Sequence, residues 1–165
     1  GRSYLEIAQA GGGIVSTMRA TREASLDELV SLGRPRLDRL LACGVTTAEV
    51  KSGYGLSFDA ELRLLEAIQV LDESHPIDLV PTFLGAHTIP PEFRERRDEY
   101  IREVTDRMIP AVAERGLADF CDVFVEKGAF SVSEAEHIFE VGRNFGLIPS
   151  NPKIFSAANS MLSSG

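Results

Sequence analysis

Residues 45–87 read VTTAEVKSGYGLSFDAELRLLEAIQVLDESHPIDLVPTFLGAH and contain three segments of different periodicity. VTTAEVKS (45–52) is short and rich in β-branched residues, which predicts a strand. FDAELRLLEAIQVLDE (58–73) has apolar residues at helical spacing, and IDLVPTFLGA (77–86) predicts a second strand. A strand, a long helix and a second strand predict a right-handed parallel βαβ unit with its strands buried under helices.

A helix is predicted before this unit, over residues 25–42. Ser25 is an N-cap candidate, and Glu28 follows it at the spacing of a capping box. Leucines then recur through the segment at helical spacing. Because glycine is a poor helix former and proline removes a backbone hydrogen bond, Gly33 and Pro35 are expected to kink or divide this helix.

Three more elements are predicted after the unit. A long helix covers about residues 96–114, ADFCDVFVE (118–126) forms a third strand, and another helix covers 133–145. This last helix starts with Ser133 and Glu136 at capping-box spacing. Strands and helices therefore alternate, and 165 residues with 44% hydrophobic content are expected to form one domain.

This alternation leaves two α/β architectures, a barrel or an open doubly wound sheet. An open sheet that binds a nucleotide usually has a glycine-rich turn after its first strand. The glycine cluster at residues 11–13 instead follows a helical stretch, YLEIAQA, and indicates a helix end and a loop. Both architectures place functional groups at the carboxyl ends of the strands.

Composition argues against several classes of partner. The chain has 25 acidic and 17 basic residues, a net charge of -8, which disfavours nucleic acid and anionic membranes. The basic run RERR (94–97) contains a glutamate and indicates a solvated helix start. Residues 1–20 lack a signal-peptide pattern, and no apolar run reaches the ~18 residues of a membrane span. A cytoplasmic protein is expected, with Cys43 and Cys121 as buried reduced thiols that precede their strands.

Each predicted strand ends in a polar side chain beside glycine, in KSGYG, GAH and VEKG. Tyr54 could project into a cleft, and a tyrosine packed over its loop is the alternative. His87 could bind a ligand or could be a hydrogen-bonded structural histidine. Lys51 and Glu126 are candidates for supporting roles, and a structural ion pair between them is favoured over a catalytic role.

Four segments carry a resemblance to a known family: GGGIVSTMRATREAS, TTAEVKSGYGL, DLVPTFLGAHTIPPEF and ADFCDVFVEKGAF. In this order and spacing they resemble the imidazolonepropionase family of the amidohydrolase superfamily, over about residues 3–148. The resemblance implies part of a metal-dependent TIM (β/α)8 barrel, with about three βα units and the start of a fourth strand. It also implies that Tyr54 and His87 contact the substrate and that His87 is catalytic.

The reaction implied by the resemblance is hydrolysis of 4-imidazolone-5-propanoate to N-formimidoyl-L-glutamate, a step of histidine degradation. One zinc or iron ion in the parent enzyme would polarise the ring carbonyl and activate water. We hypothesise that a neutral His87 donates to the developing oxyanion, while the Tyr54 hydroxyl fixes the ring or the substrate carboxylate. The small-molecule substrate is the expected partner, with no nucleic acid and no membrane.

The chain departs from the family pattern in its metal ligands. The superfamily site takes a His-x-His pair, further histidines and an aspartate, whereas this chain contains only His75, His87 and His137. The arginine that the family uses for the substrate carboxylate also lies upstream of the matched segment. We therefore expect this chain to bind no metal on its own and to be inactive alone.

The carboxyl end departs as well. Residues 149–165 read PSNPKIFSAANSMLSSG where the family has a strand with a KIHADE-like segment, and a reading-frame shift would account for the change. The chain is expected to be a barrel fragment whose exposed edges and apolar interior side chains favour association. The alternatives are a non-catalytic module that binds a small carboxylate and a structural half-barrel completed by another chain.

Overall fold

The structure is a computed structural model that describes residues 14–126 and 128–150. Its centre is a four-stranded parallel sheet with the strand order β1-β2-β3-β4. The strands are β1 (Thr47–Lys51), β2 (Asp78–Ala86), β3 (Phe120–Val123) and β4 (Ile148–Pro149). This confirms the predicted parallel βαβ arrangement. The predicted loop at residues 11–13 and the divergent segment from residue 151 onward lie outside the described residues.

Helices connect the strands in the predicted alternation. Two helices precede the sheet, and helical segments lie between each pair of consecutive strands. Their bounds are α1 (Ile14–Glu23), α2 (Leu26–Ala42), α3 (Phe58–Ser74), α4 (Arg97–Arg102), α5 (Ile109–Glu114) and α6 (Val132–Asn144), with a 3₁₀ turn at Pro91–Phe93. No helix within the described ranges is long and apolar enough to cross a membrane.

The strands pair in sequence order without a reversal. β1 pairs with β2 from Thr47↔Asp78 to Lys51↔Thr82, and β2 pairs with β3 through Thr82↔Phe120. Crossovers between consecutive parallel strands are almost always right-handed, and this rule places the connecting helices on one face of the sheet. The carboxyl ends of β1, β2 and β3 therefore lie at one edge, where the loops that follow these strands meet.

The core lies between this sheet and its helices. Its most deeply buried side chains include Leu65, Phe83, Tyr100, Val104, Met108, Ile138 and Phe139. Burial of a large apolar side chain contributes about 1.5–3 kcal/mol, so this cluster supplies most of the driving force for folding. The buried Tyr100 hydroxyl donates to the Gly85 carbonyl at 2.7 Å, and desolvation raises the pKa of Tyr100 well above its ordinary value.

Helix α2 confirms the predicted capping box. The Ser25 hydroxyl accepts from the Glu28 N–H, and the Glu28 side chain accepts from the Ser25 N–H. The helix runs past Gly33 and Pro35 without being divided. A Cβ at Gly33 would lie 2.6 Å from Leu71 Cδ1, so this glycine allows close packing of α2 on α3.

The long helix predicted over about 96–114 is present but is not a uniform α-helix. A π-helical segment, Glu103–Met108, separates α4 from α5. Pro110 follows this segment and has no N–H to donate to the carbonyl four residues earlier, and its ring crowds that carbonyl. A wider π turn relieves this crowding, so the proline accounts for the change of helix type.

Helix α6 begins one residue earlier than predicted, and its N-cap lies two residues earlier. Its capping box consists of Ser131 and Glu134, so the assignment to Ser133 and Glu136 was wrong. Both pairs have the same spacing, and the sequence alone does not distinguish them. A distant partner does, because Arg97 donates from Nε and Nη2 to the Glu134 carboxylate at 2.6 and 2.7 Å.

The two cysteines differ from each other and from the prediction. Both thiols are free, but Cys43 is exposed. Cys121 is buried within β3 instead of preceding it, and desolvation raises its pKa to about 12. Its thiolate is therefore scarcely populated near neutral pH, which makes Cys121 a packing residue and not a nucleophile.

We expect Glu134→Gln to destabilise the fold near neutral pH and to have little effect in acid. Hydrogen bonds from Arg97 and Ser131 lower the pKa of Glu134 from 4.5 to about 2 despite partial burial. The contribution of ionised Glu134 to the free energy of unfolding is therefore complete above pH 4.5 and is lost as the pH falls towards 2. The loss near neutral pH should be on the order of 1–3 kcal/mol, measured by urea unfolding followed by circular dichroism.

The matched control for this substitution is Glu28→Gln. Glu28 occupies the same capping-box position in α2, but its hydrogen bonds come from Ser25 and not from an arginine. Its loss of stability should be smaller. Equal losses in the two variants would show that the Arg97 ion pair contributes nothing.

Candidate functional site

Three aromatic side chains meet where β1, β2 and β3 end. The His87 ring stands edge-on to the Tyr54 ring at 5.1 Å and to the Phe124 ring at 5.5 Å between centroids. Tyr54 and Phe124 remain 41% and 44% exposed, so a small molecule can reach them. The structure thus brings together the two site residues predicted from the sequence, Tyr54 and His87, and adds Phe124 as a third.

The backbone fixes which nitrogen of His87 carries a proton. Nδ1 lies 2.8 Å from the carbonyl oxygen of Gly53, and a carbonyl can only accept, so Nδ1–H is the donor. A neutral imidazole then has an unprotonated Nε2, which can accept a hydrogen bond but cannot donate one. The hypothesis that a neutral His87 donates to an oxyanion is therefore corrected, since donation from Nε2 requires the imidazolium form.

The loop that carries Tyr54, residues 53–56, is held from below by a buried carboxylate. Oε2 of Glu61 accepts from the Gly53 N–H, and Oε1 accepts from the N–H groups of Gly55 and Leu56, each at 2.8 Å. Glu61 has no exposed surface. Three of the four N–H groups in this loop therefore donate to one side chain.

The carbonyls of the same loop are held by a guanidinium group. Arg22 donates from Nε to the Gly55 carbonyl at 2.6 Å and from Nη2 to the Leu56 carbonyl at 2.8 Å. Its Nη2 also lies 2.7 Å from the Glu92 carboxylate, which orients the guanidinium. We call this arrangement of Glu61 and Arg22 around residues 53–56 the loop clamp.

The two glycines of KSGYG are required by this packing. Gly53 has φ +101°, and a Cβ there would lie 2.7 Å from the carbonyl oxygen of Leu84. At Gly55 a Cβ would lie 2.7 Å from the backbone carbon of Ala60. These contacts explain both glycines without a ligand, because any side chain would push the loop away from β2 or from α3.

Lys51 pairs with partners other than the one predicted. Its Nζ lies 2.7 Å from Asp122 Oδ2 and 3.5 Å from Glu49 Oε1, so the predicted ion pair with Glu126 was wrong. Thr82 donates to the same Glu49 oxygen at 2.7 Å. Desolvation opposes the charge on Lys51, but the hydrogen bond and charge of Asp122, with help from Glu49, raise its pKa.

Phe124, directly after β3, is 44% exposed, and Glu49 and Lys51 of β1 are exposed and charged. Exposure of apolar barrel-interior side chains remains a prediction. Glu126 is exposed beyond the end of β3, and its carbonyl accepts from the Ala129 N–H in a turn. A supporting role for the Glu126 side chain remains a prediction.

The three histidines do not converge. His75 ends α3 on the amino side of β2, where Nε2 lies 3.2 Å from Asp38, whereas His87 follows the carboxyl end of β2. His137 is exposed on α6. Across residues 14–126 and 128–150, no three His, Cys, Asp or Glu side chains are grouped so as to hold a metal ion. The described residues therefore do not fit the metal that the resemblance implies.

The sequence reasoning missed Phe124, Glu61 and Arg22. A signal for Glu61 was available, since it falls on the apolar stripe of α3, four residues before Leu65 and seven before Ile68. A carboxylate on the buried stripe of a helix needs donors and therefore predicts a loop above it. No sequence pattern indicated Arg22, whose loop partners lie 33 and 34 residues away.

We expect Gly53→Ala to destabilise the fold by more than Gly44→Ala. Both glycines have positive φ, +101° and +87°, but nothing lies within 4 Å of a Cβ built on Gly44. Gly44→Ala should lower the free energy of unfolding by only about 1 kcal/mol, the cost of placing alanine at positive φ. The clash at Gly53 should add about 1–3 kcal/mol to this loss. Thermal and urea unfolding would measure both, and equal losses would mean that the loop can move away from Leu84 at no cost.

Comparison with curated proteins gives one consistent result, although no protein-family model matches the chain. The chain is 54% identical over 147 residues to the imidazolonepropionase of Alkaliphilus metalliredigens, covering 89% of this chain and 35% of that protein. It is 56% identical over 149 residues to the imidazolonepropionase of Myxococcus xanthus, covering 90% of this chain and 35% of that protein. It is 52% identical over 149 residues to the imidazolonepropionase of Shouchella clausii, covering 90% of this chain and 33% of that protein. The predicted resemblance is confirmed, and the chain spans about a third of the length of these relatives.

Proposed function

We propose that this chain, which shares 52–56% identity with imidazolonepropionases over about nine-tenths of its length, supplies substrate-contacting strand ends of such a hydrolase. The observation that carries the proposal is the edge-on contact of Tyr54 with His87 at 5.1 Å, at the carboxyl ends of β1 and β2. The reaction is opening of the ring amide of 4-imidazolone-5-propanoate by water, which yields N-formimidoyl-L-glutamate. This is a step of histidine degradation.

In this proposal His87 binds the substrate through Nε2. Because Nδ1–H donates to Gly53, a neutral His87 presents Nε2 as an acceptor, which suits a ring N–H of the imidazolone. The Tyr54 hydroxyl then donates to the ring or to the propanoate carboxylate. Phe124, whose ring also stands edge-on to His87, is an apolar wall for the substrate ring. Protonation of His87 would make Nε2 a donor and remove the acceptor.

The amidohydrolase relationship implies a metal ion in the parent enzyme, and we propose zinc or iron. The described residues offer no group of three ligands for it. Its ligands would then come from segments outside the described residues, and none of the roles assigned to Tyr54 and His87 depends on them. The proposed substrate contacts of Tyr54 and His87 can therefore be tested separately from metal binding.

We further propose that the sheet is part of a (β/α)8 barrel. The support is the strand order β1-β2-β3-β4 without a reversal, since a doubly wound sheet reverses its strand order at the ligand-binding crevice. β1 and β4 would be completed by neighbouring strands in a barrel, which has no open edge. In this chain alone the unpaired edges of β1 and β4 would favour association with other chains. The relatives favour this enzyme over a non-catalytic carboxylate-binding module or a structural half-barrel.

A chimera tests the proposed function. The aligned 149 residues of this chain replace the matching segment of the Myxococcus xanthus imidazolonepropionase, and loss of imidazolone propanoate is followed. We expect turnover, a fall in kcat/KM of about tenfold for Tyr54→Phe, and a fall of about 10–10²-fold for His87→Ala, which leaves the substrate ring N–H without its acceptor. His137→Ala, on the exposed surface of α6, is the control and should leave kcat/KM unchanged.

A folded, metal-loaded chimera without turnover would contradict the function itself. Full activity of the His87→Ala variant would instead refute the role of His87 alone.

Metal content is a separate prediction for the chain by itself. After dialysis against metal-free buffer, residues 1–165 should retain well below one equivalent of zinc or iron, because a catalytic site normally takes three protein ligands. Elemental analysis measures this, with the chimera as the positive control. One tightly held metal ion per chain would contradict the argument from ligands.

A further inference from the structure

We propose that Glu61 and Arg22 are positioning residues, whose clamp on residues 53–56 sets the orientation of Tyr54 and the protonated nitrogen of His87. Neither residue touches the space beside Tyr54 and His87 in this proposal, and both act through the backbone. The effect on catalysis rests on the proposed function, whereas the effect on His87 does not.

Glu61 is unusual because it is a carboxylate with no exposed surface. Burying an ionised carboxylate is costly unless hydrogen bonds replace its water. Here three N–H groups of the loop replace the water, each by a hydrogen bond of 2.8 Å to the Glu61 carboxylate. Glu61 also lies in the first turn of α3, where the helix dipole favours a negative charge. The cost of burying Glu61 is thus offset only while the loop stays in place, so the carboxylate and the loop fix each other.

The Gly53 peptide unit and its neighbour link this carboxylate to the imidazole. The Gly53 N–H donates to Glu61 Oε2, and the Gly53 carbonyl accepts from His87 Nδ1. Tyr54 lies between Gly53 and Gly55, whose N–H groups both donate to Glu61. A shift of Glu61 therefore moves the backbone on both sides of Tyr54 and also moves the acceptor that holds Nδ1–H of His87.

The division of the hydrogen bonds between the two oxygens makes Glu61→Gln an informative change. Oε1 accepts two hydrogen bonds and Oε2 accepts one, from Gly53. A glutamine keeps two of the three by placing its carbonyl oxygen towards Gly55 and Leu56. Its NH2 group then faces the Gly53 N–H, donor against donor. The substitution thus disturbs the one residue that also binds His87.

Kinetics in the chimera test the catalytic consequence. We expect Glu61→Gln to lower kcat/KM by about 10–10²-fold, because small displacements of a positioned group are costly to catalysis. The effect should be smaller when His87 is already alanine, because the part that passes through His87 is then lost and only the part that passes through Tyr54 remains. Glu134→Gln is the control, since it removes a strong ion pair away from the loop and should lower the melting temperature without lowering kcat/KM.

Arg22→Gln keeps the test valid if Glu61→Gln does not fold. Arg22 is only partly buried, and this substitution removes the carbonyl side of the clamp. We expect kcat/KM to fall by about tenfold, and by less in the His87→Ala background. A kcat/KM within about twofold of the parent value in every folded clamp variant would overturn the proposal.

The nitrogen-15 spectrum of His87 tests the proposal without turnover. With its signals assigned by their loss in His87→Ala, the neutral ring should be the Nδ1–H tautomer in the parent chimera. In Glu61→Gln, or in Arg22→Gln if the first variant does not fold, the Nε2–H tautomer should become populated. An unchanged tautomer in the folded variant would overturn the proposal. A changed tautomer in an inactive chimera would support it and would contradict the proposed function alone.

Discussion

The strand-end cluster depends on the hydrogen bonds between the buried carboxylate of Glu61 and the backbone of residues 53–56. Loops usually satisfy their N–H groups with water, and this loop uses a charged side chain from the following helix instead. The consequence is rigidity at the place where a ligand would bind. Tyr54 can then remain 41% exposed on a backbone that is itself fixed.

Close packing leaves no room for a side chain at Gly53 or Gly55 in the 53–56 loop. The positive φ of Gly53 and the 2.7 Å approach of its Cβ position to Leu84 hold the loop against β2, and Gly55 holds it against α3. The loop is therefore attached to both elements of the βαβ unit that carries the site. His87, at the end of β2, is bonded to this loop and not only to its own strand. The cluster thus moves with the scaffold as one unit.

Sequence patterns predicted the elements of the fold because strand and helix periods are local properties. The alternation, the Ser25 capping box and the placement of Tyr54 and His87 at neighbouring strand ends all follow from local spacing and one topological rule. The choice of Ser131 over Ser133 as a cap and the partner of Lys51 did not follow. Each depends on a charge brought from another element, by Arg97 and by Asp122 respectively. The protonated nitrogen of His87 could not be predicted for the same reason, since a backbone carbonyl in another loop decides it.

Amide hydrogen exchange of the 53–56 loop measures whether Glu61 holds this backbone in place. The N–H groups of Gly53, Gly55 and Leu56 belong to no helix or strand, and Glu61 accepts the hydrogen bonds of all three. They are predicted to exchange as slowly as the Leu84 amide of β2. In Glu61→Gln the Gly53 amide is predicted to lose this protection, because it alone then faces an NH2 group instead of an acceptor. Fast exchange of these three amides in the parent protein, at the rate of an open loop, would show that Glu61 does not hold the loop.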